Sequence, residues 1–204
     1  MERHGIYRES YKTCYFSIWL PTPKRIVSSC RLQFYCPAKG EEVTTKTLPC
    51  DIVCELAHQK AFEIAKAQKA PCYVIGADTI VAFENRILGK PKDSADAVRM
   101  VSMLQGNTHQ VYTGVTLIEV CADGSLREKS FYEETNVHVC QMTKDEIASY
   151  VATGEPLDKA GAYGIQGTFS IYVSGIEGNY FNVVGLPVSR LYHEFAAFQN
   201  AAHK

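Results

Sequence analysis

The side chains in this sequence whose types suit joint chemistry are acids, lysines and an amide. Glu41, Glu42 and Asp78 offer carboxylates, Lys60, Lys90 and Lys159 offer ammonium groups, and Gln166 offers a side-chain amide. Carboxylate oxygens hold a divalent cation such as Mg²⁺ or Mn²⁺, with substrate phosphates completing its shell. Lysines neutralise phosphate charge, and an amide can read a base edge or a sugar. Together these groups point to a phosphorylated ligand handled with a metal ion.

Each group needs an element to position it. Asp78 lies in an apolar run from Tyr73 to Phe83, interrupted by Gly76-Ala77-Asp78-Thr79, which is too small and polar for a strand that only packs. Gly76 lets another group come close, and burial or a bound cation would govern the protonation of Asp78. The plainer reading is a bulge with a solvated aspartate. Glu84-Asn85 reads as a hairpin turn. The returning strand Arg86-Ile-Leu88 would then bring Gly89-Lys90-Pro91 back toward Asp78, an anion and a cation at one end of a sheet.

Asp51, after Pro49, opens a helix expected to run to about Lys69. At 100° per residue Val53, Leu56, Ala57, Ile64 and Ala67 share a face, with Lys60 in its middle. Lys60 either snorkels past the core to water or points its ammonium inward toward an anion. His58, Gln59, Glu63 and Lys66 fall on the solvated side. Glu41 and Glu42 close the loop Ala38-Lys-Gly-Glu-Glu, which on local signal alone is a solvated acidic turn.

Glu155-Pro-Leu-Asp-Lys-Ala-Gly-Ala-Tyr-Gly-Ile-Gln-Gly167 carries glycines at 161, 164 and 167, so its backbone can approach a ligand closely. Lys159 adds a cation to it. It is not a phosphate loop of the Gly-Lys-Ser/Thr kind, and Gly-x-x-Gly-x-x-Gly alone is a weak signal.

The remaining elements read more simply. Asp93-Ser94 caps a helix with Ala97, Val98, Val101 and Leu104 buried, ended by Gly106. Val111–Val120 and Leu126–Val139 form a long hairpin across Ala122-Asp123-Gly124. Thr143 and Glu146 make a capping box for a helix from Lys144 to Thr153, closed by Gly154. A last strand is expected to end at Gly185, with Pro187 in the first turn of a C-terminal helix. Near the start, Tyr15–Leu20 reads as a strand and Pro21–Arg25 as a loop.

With 204 residues and 46% apolar content, the chain can bury a sizeable core. A formal net charge of −1 argues against a nucleic-acid or membrane-surface partner. No apolar run approaches a membrane span, and the start lacks a signal-peptide core. Eight cysteines form no C-x-x-C pair, which favours reduced thiols and a cytoplasmic location. His109 and His138 have no partner histidine at ligand spacing, so zinc is not expected.

Gly76-Ala-Asp-Thr79, Gly89-Lys-Pro91, the Lys60 helix, Asp158-Lys-Ala-Gly-Ala-Tyr-Gly-Ile-Gln-Gly167 and Val183-Val-Gly-Leu-Pro187 together resemble the Maf family of nucleoside triphosphate pyrophosphatases, from about Pro37 to Phe198. The Ile-Gln pair is similar to the branch acting on dTTP and UTP rather than on 7-methyl-GTP. The resemblance implies a two-lobed α/β fold like that of the inosine triphosphate pyrophosphatases, with helices on a bent mixed sheet and the nucleotide in the cleft between lobes. It implies Asp78 as proton acceptor, Glu42 with Glu41 as metal-holding acids beside Asp78, and Lys60 and Lys90 as phosphate-binding lysines. Thr79 and Gln166 would tune base preference, and the partners would be a nucleoside triphosphate and a second copy in a homodimer.

One departure stands out. Residues 1–36 form an atypical segment before a single domain at 37–204, and only Thr22-Pro23-Lys24-Arg25 overlies the family's Ser-x-Ser-Pro-Arg-Arg loop. Lys24 stands where the specificity arginine is expected, while Arg25 keeps the second. Lysine lacks the planar fork that grips phosphate bidentately. A catalytically weak nucleotide-binding or regulatory relative is therefore the alternative reading.

Overall fold

The computed structural model describes residues 44–68 and 71–201. The expected strand Tyr15–Leu20, the Lys24-Arg25 loop and the acids Glu41 and Glu42 lie outside the described residues.

Helix α1 (Pro49–Ala67) begins on Pro49, whose missing N–H costs nothing in a first turn, and places Asp51 near the helix's positive end. Its buried stripe is Ile52, Val53, Leu56, Ala57, Ala61 and Ala65. Ile64 is only half-buried and Ala67 is exposed, so the stripe follows a four-residue row instead of the expected one. Small residues on that row let the helix lie close to the sheet.

Strands β1 (Cys72–Phe83) and β2 (Arg86–Leu88) form a hairpin across Glu84-Asn85, both at positive φ. Helix α2 (Ser94–Leu104) is capped by Asp93, whose carboxylate accepts from the Asp96 N–H at 2.8 Å. Met100 takes the buried place expected of Val98, which is 38% exposed. β3 (Thr108–Val120) and β4 (Leu126–Val139) are the expected long hairpin. Helix α3 (Lys144–Ala152) starts with both hydrogen bonds of the Thr143–Glu146 capping box. Three 3-10 turns follow, at Glu155–Asp158, Ala160–Ala162 and Thr168–Tyr172, then β5 (Val173–Glu177).

The strand expected to end at Gly185 is instead a short helix, α4 (Tyr180–Val184). The Asn179 side chain accepts from the Phe181 N–H at 2.9 Å to start it, and left-handed Gly185 stops it. Pro187 then caps α5 (Val188–Asn200).

The sheet order is β2-β1-β3-β4-β5, and among the described residues every pairing is antiparallel. The mixed character expected of the sheet is therefore not carried by these five strands. Alternation along β1 divides the core. Val74, Gly76, Asp78 and Ile80 face α1, while Ile75 and Ala77 pack toward Leu191 and Phe198 of α5. Val81, on the second face, packs against α2, α3 and the 3-10 turns. Among the described residues no helix is long and apolar enough to cross a membrane.

Candidate functional site

The first part of the site is the seam between α1 and the sheet. β1 runs straight through Gly76-Ala-Asp-Thr79 without a bulge, paired to β3 from Cys72 to Ala82. The small residues serve α1 instead. A Cβ on Gly76 would lie 2.5 Å from the Ala57 carbonyl oxygen, and one on Gly114, two residues along β3, 2.3 Å from the Val53 carbonyl group. Two glycines thus let helix backbone rest on strand backbone.

That contact sets Lys60 over Asp78, and the Nζ of Lys60 meets Oδ1 of Asp78. Their side chains are 13% and 5% exposed, so this is a largely buried ion pair. Asp78 is not the solvated aspartate of the plainer reading, and Lys60 does not snorkel to water. Removing one partner of a buried pair leaves an uncompensated charge and typically costs about 3–5 kcal/mol.

The second part lies on the other face. A pocket of about 470 Å³, within the range of small-molecule sites, is walled by Thr79 of β1, by Val183, Val184 and Gly185 around the end of α4, and by the glycine-rich loop with Lys159 and Gln166. The Thr79 and Thr113 hydroxyls are 2.9 Å apart, and Thr113 donates to the Asn182 carbonyl at 2.8 Å. Thr79 therefore donates to Thr113. Lys159 pairs with Asp158 at 2.7 Å, and its stem packs on Gly164.

Successive residues of one strand point oppositely, so Asp78 and Thr79 serve different faces of the sheet. The hairpin turn forms at Glu84-Asn85, and Lys90 follows its second strand, exposed. Next to it the Gly89 carbonyl accepts from the Gly161 N–H at 3.0 Å, joining the Lys90 segment to the glycine-rich loop.

Two anchors of that loop have no signature in the sequence. Buried His109 of β3 lies 2.7 Å from the Tyr163 hydroxyl through Nε2. Burial, with a smaller effect of His138, pushes its pKa down to about 4, so it is neutral at ordinary pH. Glu155 accepts from the Thr168 N–H at 2.8 Å and from the Thr168 hydroxyl at 2.7 Å. Burial raises its carboxyl, but the Thr168 donors, Tyr150 and Lys159 outweigh that and hold it below the usual carboxylate range. Ala162, at φ 60°, carries a left-handed conformation that costs about 1–2 kcal/mol outside glycine.

A larger, more open depression of about 740 Å³ elsewhere is walled partly by Glu133, Glu134 and Glu194. Arg190 and His193 line it as well, and none of the sequence-predicted residues does. As for a metal, the described residues hold no group of three His, Cys, Asp or Glu side chains. Asp78 supplies one carboxylate, and Mg²⁺ sites that share substrate phosphates need only one or two.

A buried acid–lysine pair under a helix and a pocket across the strand sit in an α/β framework of helices on an antiparallel sheet. Residues 24–198 match the family described as Maf-like protein, and the chain belongs to the Maf family. That span includes Lys24 and Arg25. The chain is 50% identical over 187 residues to a dTTP/UTP pyrophosphatase of Agathobacter rectalis, covering 85% of this chain and 91% of the relative. It is 46% identical over 179 residues to a dTTP/UTP pyrophosphatase of Lachnoclostridium phytofermentans, covering 87% and 91%. A dTTP/UTP pyrophosphatase of Bacillus cytotoxicus is 48% identical over 164 residues, covering 79% and 82%.

Proposed function

We propose that this chain hydrolyses dTTP and UTP to the nucleoside monophosphate and pyrophosphate. The observation that carries the reading is its identity of about 50% to relatives named dTTP/UTP pyrophosphatase over most of both chains. The buried Lys60–Asp78 pair and the pocket across the strand support it. The breadth of that similarity disfavours the alternative of a catalytically weak nucleotide-binding relative.

In this reading Asp78 takes a proton from water as its oxygen bonds to the α-phosphorus. The bond from the α-phosphorus to the bridging oxygen breaks, and pyrophosphate leaves with that oxygen. Lys60 holds the Asp78 carboxylate in place and, with Lys90, Lys159 and Arg25, meets phosphate charge. A divalent cation, Mg²⁺ or Mn²⁺, held by Asp78 with Glu41 and Glu42, would supply further neutralisation of the phosphates. Thr79, Gln166 and Lys24 set the preference for the base.

Pyrophosphate release from dTTP, UTP, CTP, 7-methyl-GTP, ITP and ATP with Mg²⁺, run beside Asp78→Asn, tests this. Turnover should concentrate on dTTP and UTP and fall by about 10³-fold in the variant, with nucleotide binding kept. Absence of dTTP and UTP turnover would falsify the reading. The family resemblance also motivates a cytoplasmic homodimer. A monomer mass by sedimentation at micromolar concentration would count against the dimer, and recovery of the protein outside the cytoplasmic fraction against the location.

A further inference from the structure

We infer that Glu155 is a positioning residue for the base pocket, because its carboxylate fixes the turn that carries Gln166. The inference rests on the proposed function and deepens it. Gln166 is exposed, and its side chain makes no hydrogen bond with the other described residues. Only the backbone of its turn aims the amide. That turn, Gly164 to Gly167, is closed by the Gly167 N–H donating to the Gly164 carbonyl at 3.1 Å.

Glu155 is packed directly against the turn. A Cβ on Gly167 would lie 2.0 Å from Oε1 and 2.6 Å from Oε2 of Glu155, so the carboxylate rests on the Gly167 backbone. The next residue, Thr168, gives Oε2 both its N–H and its hydroxyl, at 2.8 and 2.7 Å. From α3, the Tyr150 hydroxyl donates to Oε1 at 3.3 Å. Three donors thus converge on one anion directly after Gln166, and hydrogen bonds to an anion are about twice as strong as neutral ones. Glu155 and Gln166 also line the same pocket, so a shift of the turn changes the width offered to a base.

The test compares KM and kcat for dTTP, UTP and ITP in the parent, Glu155→Gln and Glu155→Ala, with folding checked by thermal unfolding. ITP reports width, since its purine needs more room than a pyrimidine. In Glu155→Ala, KM for dTTP and UTP should rise about tenfold, the equivalent of one charge-assisted hydrogen bond, while kcat changes less than about threefold. KM for ITP should stay level or fall, so the pyrimidine preference drops about tenfold. Glu155→Gln keeps an acceptor oxygen and should fall between; it decides the matter if the alanine variant does not fold. KM values unchanged, or raised by one factor for all three nucleotides, would overturn the inference. A parent that hydrolyses neither dTTP nor UTP counts against the proposed function instead. Calorimetric titration of dTTP and ITP into parent and Glu155→Gln then reads the preference directly, and an equal preference in both would overturn the inference.

Discussion

The seam between α1 and the sheet and the loop from Glu155 to Gly167 use glycine for opposite ends. At the seam, glycine removes side chains so that backbone meets backbone, and the Lys60–Asp78 ion pair, proposed for catalysis, is held between a helix and a strand. In the loop, glycine makes room for the side chains of Lys159 and Glu155, and the turn is held by hydrogen bonds. The proposed proton acceptor sits where backbone fixes it, and of the groups proposed to read the base Thr79 shares that strand while Gln166 sits on the loop, which can be re-cut.

Gly114→Ala should break the seam. The new methyl meets the Val53 carbonyl group and the Cys54 nitrogen, all backbone, so α1 must move. We expect about 3 kcal/mol of destabilisation or more by urea unfolding, and about a hundredfold loss of kcat in whatever folds. Unchanged stability would mean that the helix is not resting on the strand.

A smaller effect concerns the link from the sheet to the loop. His109 takes up a proton near pH 6.5 in the unfolded chain but only near 4 in the folded one. Its contribution is complete above pH 6.5 and is lost as the pH falls toward 4, by about 2.5 kcal/mol at pH 4.5. The pH dependence of urea unfolding should therefore be shallower in His109→Asn than in the parent. Equal slopes would remove His109 as the cause.

Gly164→Ala should do least. The methyl there crowds the Cδ and Cε of Lys159, a flexible stem that can swing aside, and meets Glu155 Oε1 at an ordinary 3.7 Å. Stability should change by less than about 1 kcal/mol, and KM for dTTP should rise only as far as Lys159 contributes. A loss as large as that of Gly114→Ala would erase the contrast between the two regions.

Much of this was legible before the structure. The capped helices α2 and α3 and the long hairpin follow from capping residues and alternation, which are local signals. Lys60 in the middle of an apolar face left two readings open, a snorkel to water or an inward anion, and the structure takes the second. The run around Val183 misled because a short apolar segment fits strand or helix equally well, and the Asn179 cap that decides it is a single residue. The close approach that Gly76 permits was legible, but not what approaches, since the Ala57 carbonyl lies on another element nineteen positions away in sequence. Glu155 and the His109–Tyr163 contact were out of reach for the same cause. Their partners are fixed by tertiary structure, 13 and 54 residues distant, and no spacing rule connects them.

Since peptide atoms set how near α1 comes to Gly76 and Gly114, the distance from Lys60 to Asp78 does not depend on which aliphatic residues fill the space around it. Ile52, Leu56 and Ile80 can be exchanged for others of like volume without retuning the pair. Sequence can therefore drift in that part of the interior while the pair proposed to react keeps its spacing, and a library that randomises those three positions should return active variants far more often than one that randomises the two glycines.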